Sequence, residues 1–176
     1  MSDLTASNLA IAEDGRNLSL SFDVAGDPPA QQRHRNTWKL RKIPVFYDPS
    51  SVPKARFNRD LRIALADCGV NVFPFFQEEK TDQMMSEGLH FDAVFYMKRC
   101  RKDYKMVKGV EVLKDNHQKY PGKKDTDNMM KFIMDAAHHV LYKDDKCVVK
   151  ISAVKKFVPE EEKSRGPYTT IYISTM

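Results

Sequence analysis

The sequence predicts an α+β fold in a single domain: a mixed β-sheet with helices packed mainly on one face. Three observations carry this expectation. Apolar and polar residues alternate with a period of two around Leu18, Phe91 and Val149, and a fourth β-rich stretch surrounds Ile171. Apolar residues recur at helical spacing after Pro53 and after Asp127. The chain of 176 residues is long enough for one core without disulfide or metal staples.

Residues 1–16 are acidic and weakly patterned, so they are expected to form an N-terminal tail or arm, with the domain spanning residues 17–176. Leu18, Leu20, Phe22 and Val24 alternate with polar residues and predict a half-buried strand that ends at Gly26-Asp27-Pro28-Pro29. Residues 31–48 are basic and broken by Pro44, which suggests a loop or edge element near a ligand. Its Trp38, Phe46 and Tyr47 suit either a core or a wedge. Ser50 or Ser51 is a candidate cap for a helix in which Phe57, Leu61, Ala64, Leu65 and Cys68 face inward and Gly69 is the stop. Residues 77–88 read as a loop or a marginal helix.

Phe91, Ala93, Phe95 and Met97 form the second strand pattern. Residues 99–124 show no sustained period and are expected to be one long basic loop, a length usually tied to function or disorder above ~12 to 15 residues. Asp127 then stands where an N-cap belongs, ahead of Met130, Ile133, Met134, Ala137 and Leu141. A turn at residues 142–146 leads into the Val149 strand, residues 159–166 read as a hairpin-like connection, and residues 168–174 close the sheet.

Charge narrows the function. Residues 31–62 hold nine Lys/Arg against Asp48 and Asp60, and residues 98–124 hold ten against Asp103, Glu111 and Asp115, in a chain whose net charge is only +5. Positive charge gathered in two stretches suits a polyanion. Arg33, Arg35, Lys39 and Arg41 in the first stretch, and Lys98, Arg99, Arg101, Lys102 and Lys123 in the second, are the candidate phosphate contacts. No apolar run reaches the ~18 to 20 residues of a membrane span, and the start lacks the pattern of a secretory signal, so a soluble intracellular protein without a membrane partner is expected. Cys68, Cys100 and Cys147 have no metal-site spacing and are expected to be reduced thiols.

Asp125 and Asp127 carry the chemistry. In an extended segment a spacing of two directs both carboxylates to one side, where they repel each other unless a cation lies between them. Hard oxygen ligands favour Mg²⁺, with Mn²⁺ able to substitute. Lys131 follows one helical turn after Asp127 and places an ammonium beside a phosphate. Asp144 and Asp145 precede the next strand, and an antiparallel return would add a third carboxylate. An Asp-x-Asp pair alone is more often a helix cap than a metal site. The ordered set changes that balance.

The run Lys124-Asp125-Thr126-Asp127-Asn128, Lys131, Asp135, Tyr142-Lys143-Asp144-Asp145 and Val148-Val149 resembles the signature of the RusA-type Holliday junction resolvases, the crossover junction endodeoxyribonucleases. The Gly-x-Pro-Pro and Arg-x-Arg pattern of residues 24–35 is also similar to that family's opening strand and basic turn. The resemblance implies a RusA-like fold, catalytic metal ligands at Asp125, Asp127 and Asp145, a catalytic lysine at Lys131, and supporting residues at Lys124, Asp135 and Asp144. It further implies a homodimer acting on four-way DNA junctions with Mg²⁺ and no organic cofactor. His138 and His139, on a helix, diverge by about 100° and are expected at a surface or C-terminal dipole position rather than on one ligand. A catalytically silent branched-DNA-binding module is the competing expectation, as is a metal-dependent nuclease acting on flaps or RNA; substrate competition separates them.

Overall fold

A computed structural model describes residues 8–11, 18–32, 35–37, 45–67 and 88–176. The β-branched and aromatic alternation of the sequence becomes a five-stranded sheet. Its strands are β1 (Asn8–Ile11), β2 (Leu18–Ala25), β5 (Leu89–Met97), β8 (Val148–Phe157) and β9 (Tyr168–Thr175), in the order β1-β2-β9-β5-β8. The remaining strands, β3 (Arg35–Thr37) with β4 (Val45–Tyr47) and β6 (Tyr104–Val107) with β7 (Val110–Leu113), form two small antiparallel pairs.

Within the five strands only β5 and β8 run parallel, so the sheet is mixed. A parallel pair needs a crossover, and this one contains helix α2 (Thr126–Ala137). Helix α1 (Ser51–Asp67) packs beside it. Register fixes one buried face: Leu20, Ile173 and Phe91 lie across from one another, as do Phe22, Ile171 and Ala93. All six are buried in one cluster with Phe57, Leu61 and Leu65 of α1 and Met129, Phe132, Ile133 and Ala136 of α2. Fully burying each large apolar side chain contributes ~1.5 to 3 kcal/mol. The Phe57 and Phe132 rings meet edge to face at 5.9 Å, and Asn58 donates to the Ala136 carbonyl at 2.8 Å, so the two helices are locked together.

Several elements depart from their sequence signals. Residues 8–11, within the expected arm, pair antiparallel with β2. Residues 99–124 are not one loop, because β6 and β7 form a hairpin through Lys108 and Gly109, both with positive φ. That is the backbone of a two-residue turn with left-handed residues at both central positions, and Gly109 accepts it without strain. Residues 160–165 form a short 3-10 helix rather than a hairpin-like connection. Trp38, Cys68, Gly69 and residues 77–87 lie outside the described residues.

Candidate active site and nucleic-acid surface

The carboxylates flank α2, and local backbone geometry decides where each one points. Asp125, not Asp127, is the N-cap, with φ −79° and ψ 137°. The helix therefore begins two residues earlier than the apolar spacing suggested, and Asp127 lies inside its first turn. The two aspartates do not share an extended segment, so the argument from a period of two does not apply. Lys131 stands four residues after Asp127 on the same helix face. Asp125 makes no side-chain capping bond; among the described residues its Oδ2 accepts from Asn128 Nδ2, at 3.3 Å. Neither Asp127 nor Lys131 engages in a hydrogen bond or ion pair among the described residues, and Asp125, Asp127 and Lys131 are all exposed.

Lys124 sets the approach to this end. Its φ of +63° turns the chain sharply just before Asp125, a conformation rare outside glycine. Three contacts hold the turn. Lys124 Nζ donates to Asp27 Oδ2 at 2.7 Å and to the Pro28 carbonyl, while Lys155 Nζ, from the far end of β8, donates to the Lys124 carbonyl at 2.7 Å. Gln31 N donates to the Asn128 carbonyl at 3.0 Å. The Gly-x-Pro-Pro turn and the Asp-x-Asp segment, about a hundred residues apart in the chain, thus meet. Lys124 is a brace, not a free cation.

Asp145 lies at the opposite end of the helix. It opens a 3-10 turn, Asp145–Cys147, and its Oδ1 is 3.8 Å from Nε2 of His138, the residue that caps the C-terminus of α2. Twelve residues at a rise of 1.5 Å make α2 about 18 Å long, so one chain does not bring Asp145 to Asp125 and Asp127. Accordingly, no group of three or more His, Cys, Asp or Glu is placed to hold a metal ion among the described residues. The antiparallel return expected to gather the three carboxylates instead runs the length of the helix. Asp125 and Asp127 remain a hard-oxygen pair suited to a hydrated Mg²⁺, and they fall one carboxylate short of the expected set.

The supporting residues are structural. Asp135 Oδ2 accepts from Lys54 Nζ at 2.8 Å, and the same ammonium reaches Asp48 Oδ2 at 3.1 Å, joining α2 to α1. Burial disfavours the Lys54 charge, but the hydrogen bonds it donates to Asp135 and Asp48 outweigh this and raise the Lys54 pKa. Asp144 shapes the turn before β8: its Oδ1 accepts from Lys146 N at 3.0 Å and its carbonyl accepts from the Cys147 thiol at 2.7 Å. Burial pushes the Cys147 thiol up, as it does the phenol of Tyr142, whose hydroxyl donates to the Met134 carbonyl. The helix ends at Ala137, so His138 and His139 do not diverge as helical neighbours; their rings stack at 3.8 Å, with His139 at φ +62°. The nearness of His138 to Asp145 had no signal in the sequence.

The cationic residues divide. Lys98, Arg101, Lys102 and Lys123 are exposed. Arg99 is committed: it donates to the Gln118 carbonyl at 2.8 Å, lies 3.4 Å from Glu160 and covers the Phe157 ring at 4.1 Å. Lys98, Arg99, Arg101, Tyr104 and Lys163 line a cleft of about 370 Å³. The side chains of Arg33, Arg35, Lys39 and Arg41 lie outside the described residues.

These elements are also what a comparison with known families detects. The family description Endodeoxyribonuclease RusA matches residues 26–165, from the Gly26 turn through both ends of α2 to the 3-10 helix after β8. The chain belongs to the RusA endodeoxyribonuclease family. Its α+β fold is consistent with that membership, and the family implies nuclease activity on DNA junctions. No curated protein matches the chain. Among the described residues no helix is long and apolar enough to cross a membrane.

Proposed function

We propose that this RusA-family chain is a Mg²⁺-dependent endonuclease, with Mn²⁺ able to substitute, that resolves four-way DNA junctions as a homodimer. The observation that carries the reading is the exposed trio of Asp125, Asp127 and Lys131 at the head of α2, in which Asn128 beside Asp125 is the one side-chain partner among the described residues, close in the chain to the cationic run of residues 98–124. A bound divalent cation would supply phosphate polarisation and a water of lowered pKa. Asp125 and Asp127 would hold it, and Lys131 would neutralise charge developing on the phosphate. Lys98, Arg101, Lys102 and Lys123 would position the duplex through its phosphates.

The missing third carboxylate comes from a second copy. β8 is an edge strand, its Lys155 end tied to Lys124 and its other end led by Asp145. Two β8 edges paired antiparallel about a two-fold axis would carry the partner's Asp145 toward Asp125 and Asp127 and create two equivalent sites. Those sites would address opposed strands of a junction.

Mixing inactive variants tests the arrangement. Asp127→Asn and Asp145→Asn should each lower cleavage of a synthetic four-way junction by about 10³-fold, a loss typical of a catalytic electrostatic group. Combining them should restore nicking, because one of the two shared sites in a mixed dimer has no substitution. Absence of restoration in a mixture shown to exchange subunits contradicts the shared site. Absence of cutting by the intact protein in Mg²⁺, despite tight junction binding, contradicts the nuclease reading.

A further inference from the structure

The β6–β7 hairpin is a device that the carboxylate site does not explain. It forms its own two-stranded sheet between β5 and Asp125. Pairing of Tyr104 with Leu113 and of Met106 with Glu111 puts these four on one face, while Lys105, Val107, Val110 and Val112 form the other. The first face is braced. Tyr104 donates to Glu160 Oε1 at 2.8 Å, Lys163 pairs with Glu111 at 2.6 Å, and the same ammonium sits 3.8 Å from the centre of the Tyr104 ring. On the second face Val107, Val110 and Val112 are exposed, and on the first face, one pair back from the turn, Met106 is 67% exposed. Apolar side chains exposed on both faces near the turn of a braced arm are costly to leave in water, which marks an interaction site.

Charge identifies the occupant. Residues 98–124 carry ten cations against three acids, and two of those acids are unavailable: Asp103 is buried and Glu111 is paired with Lys163. Lys108 stands in the turn itself, and Lys105, on the face of Val107 and Val110, is exposed with only a 3.8 Å pair to the fully exposed Asp115. The hairpin is also anchored at the carboxylate end, since Arg99 holds residue 118 and Lys155 holds residue 124. Apolar side chains flanked by cations match one polyanion with accessible apolar faces, namely DNA whose bases are unstacked at a branch.

We propose that the β6–β7 hairpin is a branch-point wedge. Met106, Val107 and Val110 pack against bases at the opened centre of a DNA junction, while Lys105 and Lys108 hold the adjoining phosphates. This rests on branched DNA being the substrate, and it adds an element that opens the branch for the carboxylates to reach the strands.

The test places 2-aminopurine at the branch of a four-way junction, with Ca²⁺ in place of Mg²⁺ to prevent cutting, and compares the intact protein with a Met106→Ser/Val107→Ser/Val110→Ser variant. The intact protein should raise the fluorescence severalfold. The variant should leave it at the level of free junction while binding linear duplex within about twofold of the intact protein, because its phosphate contacts remain. A Met106→Leu/Val107→Ile/Val110→Ile variant should retain the rise, which separates loss of apolar contact from loss of the hairpin. Equal fluorescence with the serine variant overturns the wedge. So does a change in oligomeric state on sedimentation, which would make this face a contact between copies. Junction cutting by the intact protein with no fluorescence rise overturns the wedge and leaves the junction nuclease standing, whereas no junction binding at all removes both.

Discussion

Strands β5 and β8 lie side by side, parallel and nearly equal in length, and their sequences alternate alike. β5 has β9 on one side and β8 on the other, and every second residue from Leu89 to Met97 is buried. Among the described residues β8 is paired on one side only. Ile151, across from buried Phe91 and thus on the helix-covered side of the sheet, is 50% exposed, and Val149 is 61% exposed. A broadly similar alternation therefore yields core in one strand and largely exposed surface in the other, where Lys155 stands across from Phe95 and the sheet ends. A ten-residue edge strand carrying exposed Val and Ile is a liability unless another chain covers it.

Substitutions at matching positions should separate the two strands. Phe91→Ala removes a fully buried ring that also meets Tyr142 at 6.0 Å, and should lower unfolding stability by ~3 to 5 kcal/mol in urea denaturation. A loss under 1 kcal/mol would mean that β5 is not the centre of the core. Ile151→Asp, at the neighbouring position on β8, should change stability of the isolated chain by less than ~0.5 kcal/mol, as an exposed surface change does. Its expected effect is on assembly: sedimentation should show a monomer, and junction cleavage at low protein concentration should fall about 10²-fold if the site is shared. A stable, fully active dimer of this variant would place the interface elsewhere.

How much of this was legible in the sequence follows from the range over which each signal acts. The alternation of Leu20, Phe22 and Val24 and the spacing of Phe57, Leu61 and Leu65 are local patterns, and they predicted β2 and α1 correctly. The β6–β7 hairpin was missed, although Lys108-Gly109 between Tyr104-Lys105-Met106-Val107 and Val110-Glu111-Val112-Leu113 is a two-residue turn signal; the density of lysine hid the alternation. The order of the aspartates was visible, but their separation was not. Whether Asp145 returns to Asp127 or stays at the far end of α2 depends on how the turn after His138 and the pairing of β8 with β5 are laid down in space, which no short window encodes. Arg99 likewise counted as one more cation until its partners, Gln118 and Glu160, were adjacent in space.

The smallest expected effect concerns the contact that joins the two helices over the sheet. Lys54 binds Asp48 and Asp135 together, and its side chain is 19% exposed, so the pairs are screened only in part. Lys54→Met should cost ~1 kcal/mol of stability at pH 7 and leave junction binding unchanged. The pH dependence follows from the raised pKa of Lys54. A lysine held charged more firmly in the folded state contributes its stabilisation fully below its unfolded value of 10.5 and loses it as pH rises through the folded value. The stability difference between the intact protein and Lys54→Met, followed by thermal unfolding, should therefore be constant through neutral pH and shrink above pH 10.5. A difference that instead persists undiminished as pH rises through the folded value would show that the loss comes from packing around α1 rather than from the ammonium. The helices would then be held over the sheet by their apolar face alone, with no electrostatic contribution from the Lys54 bridge.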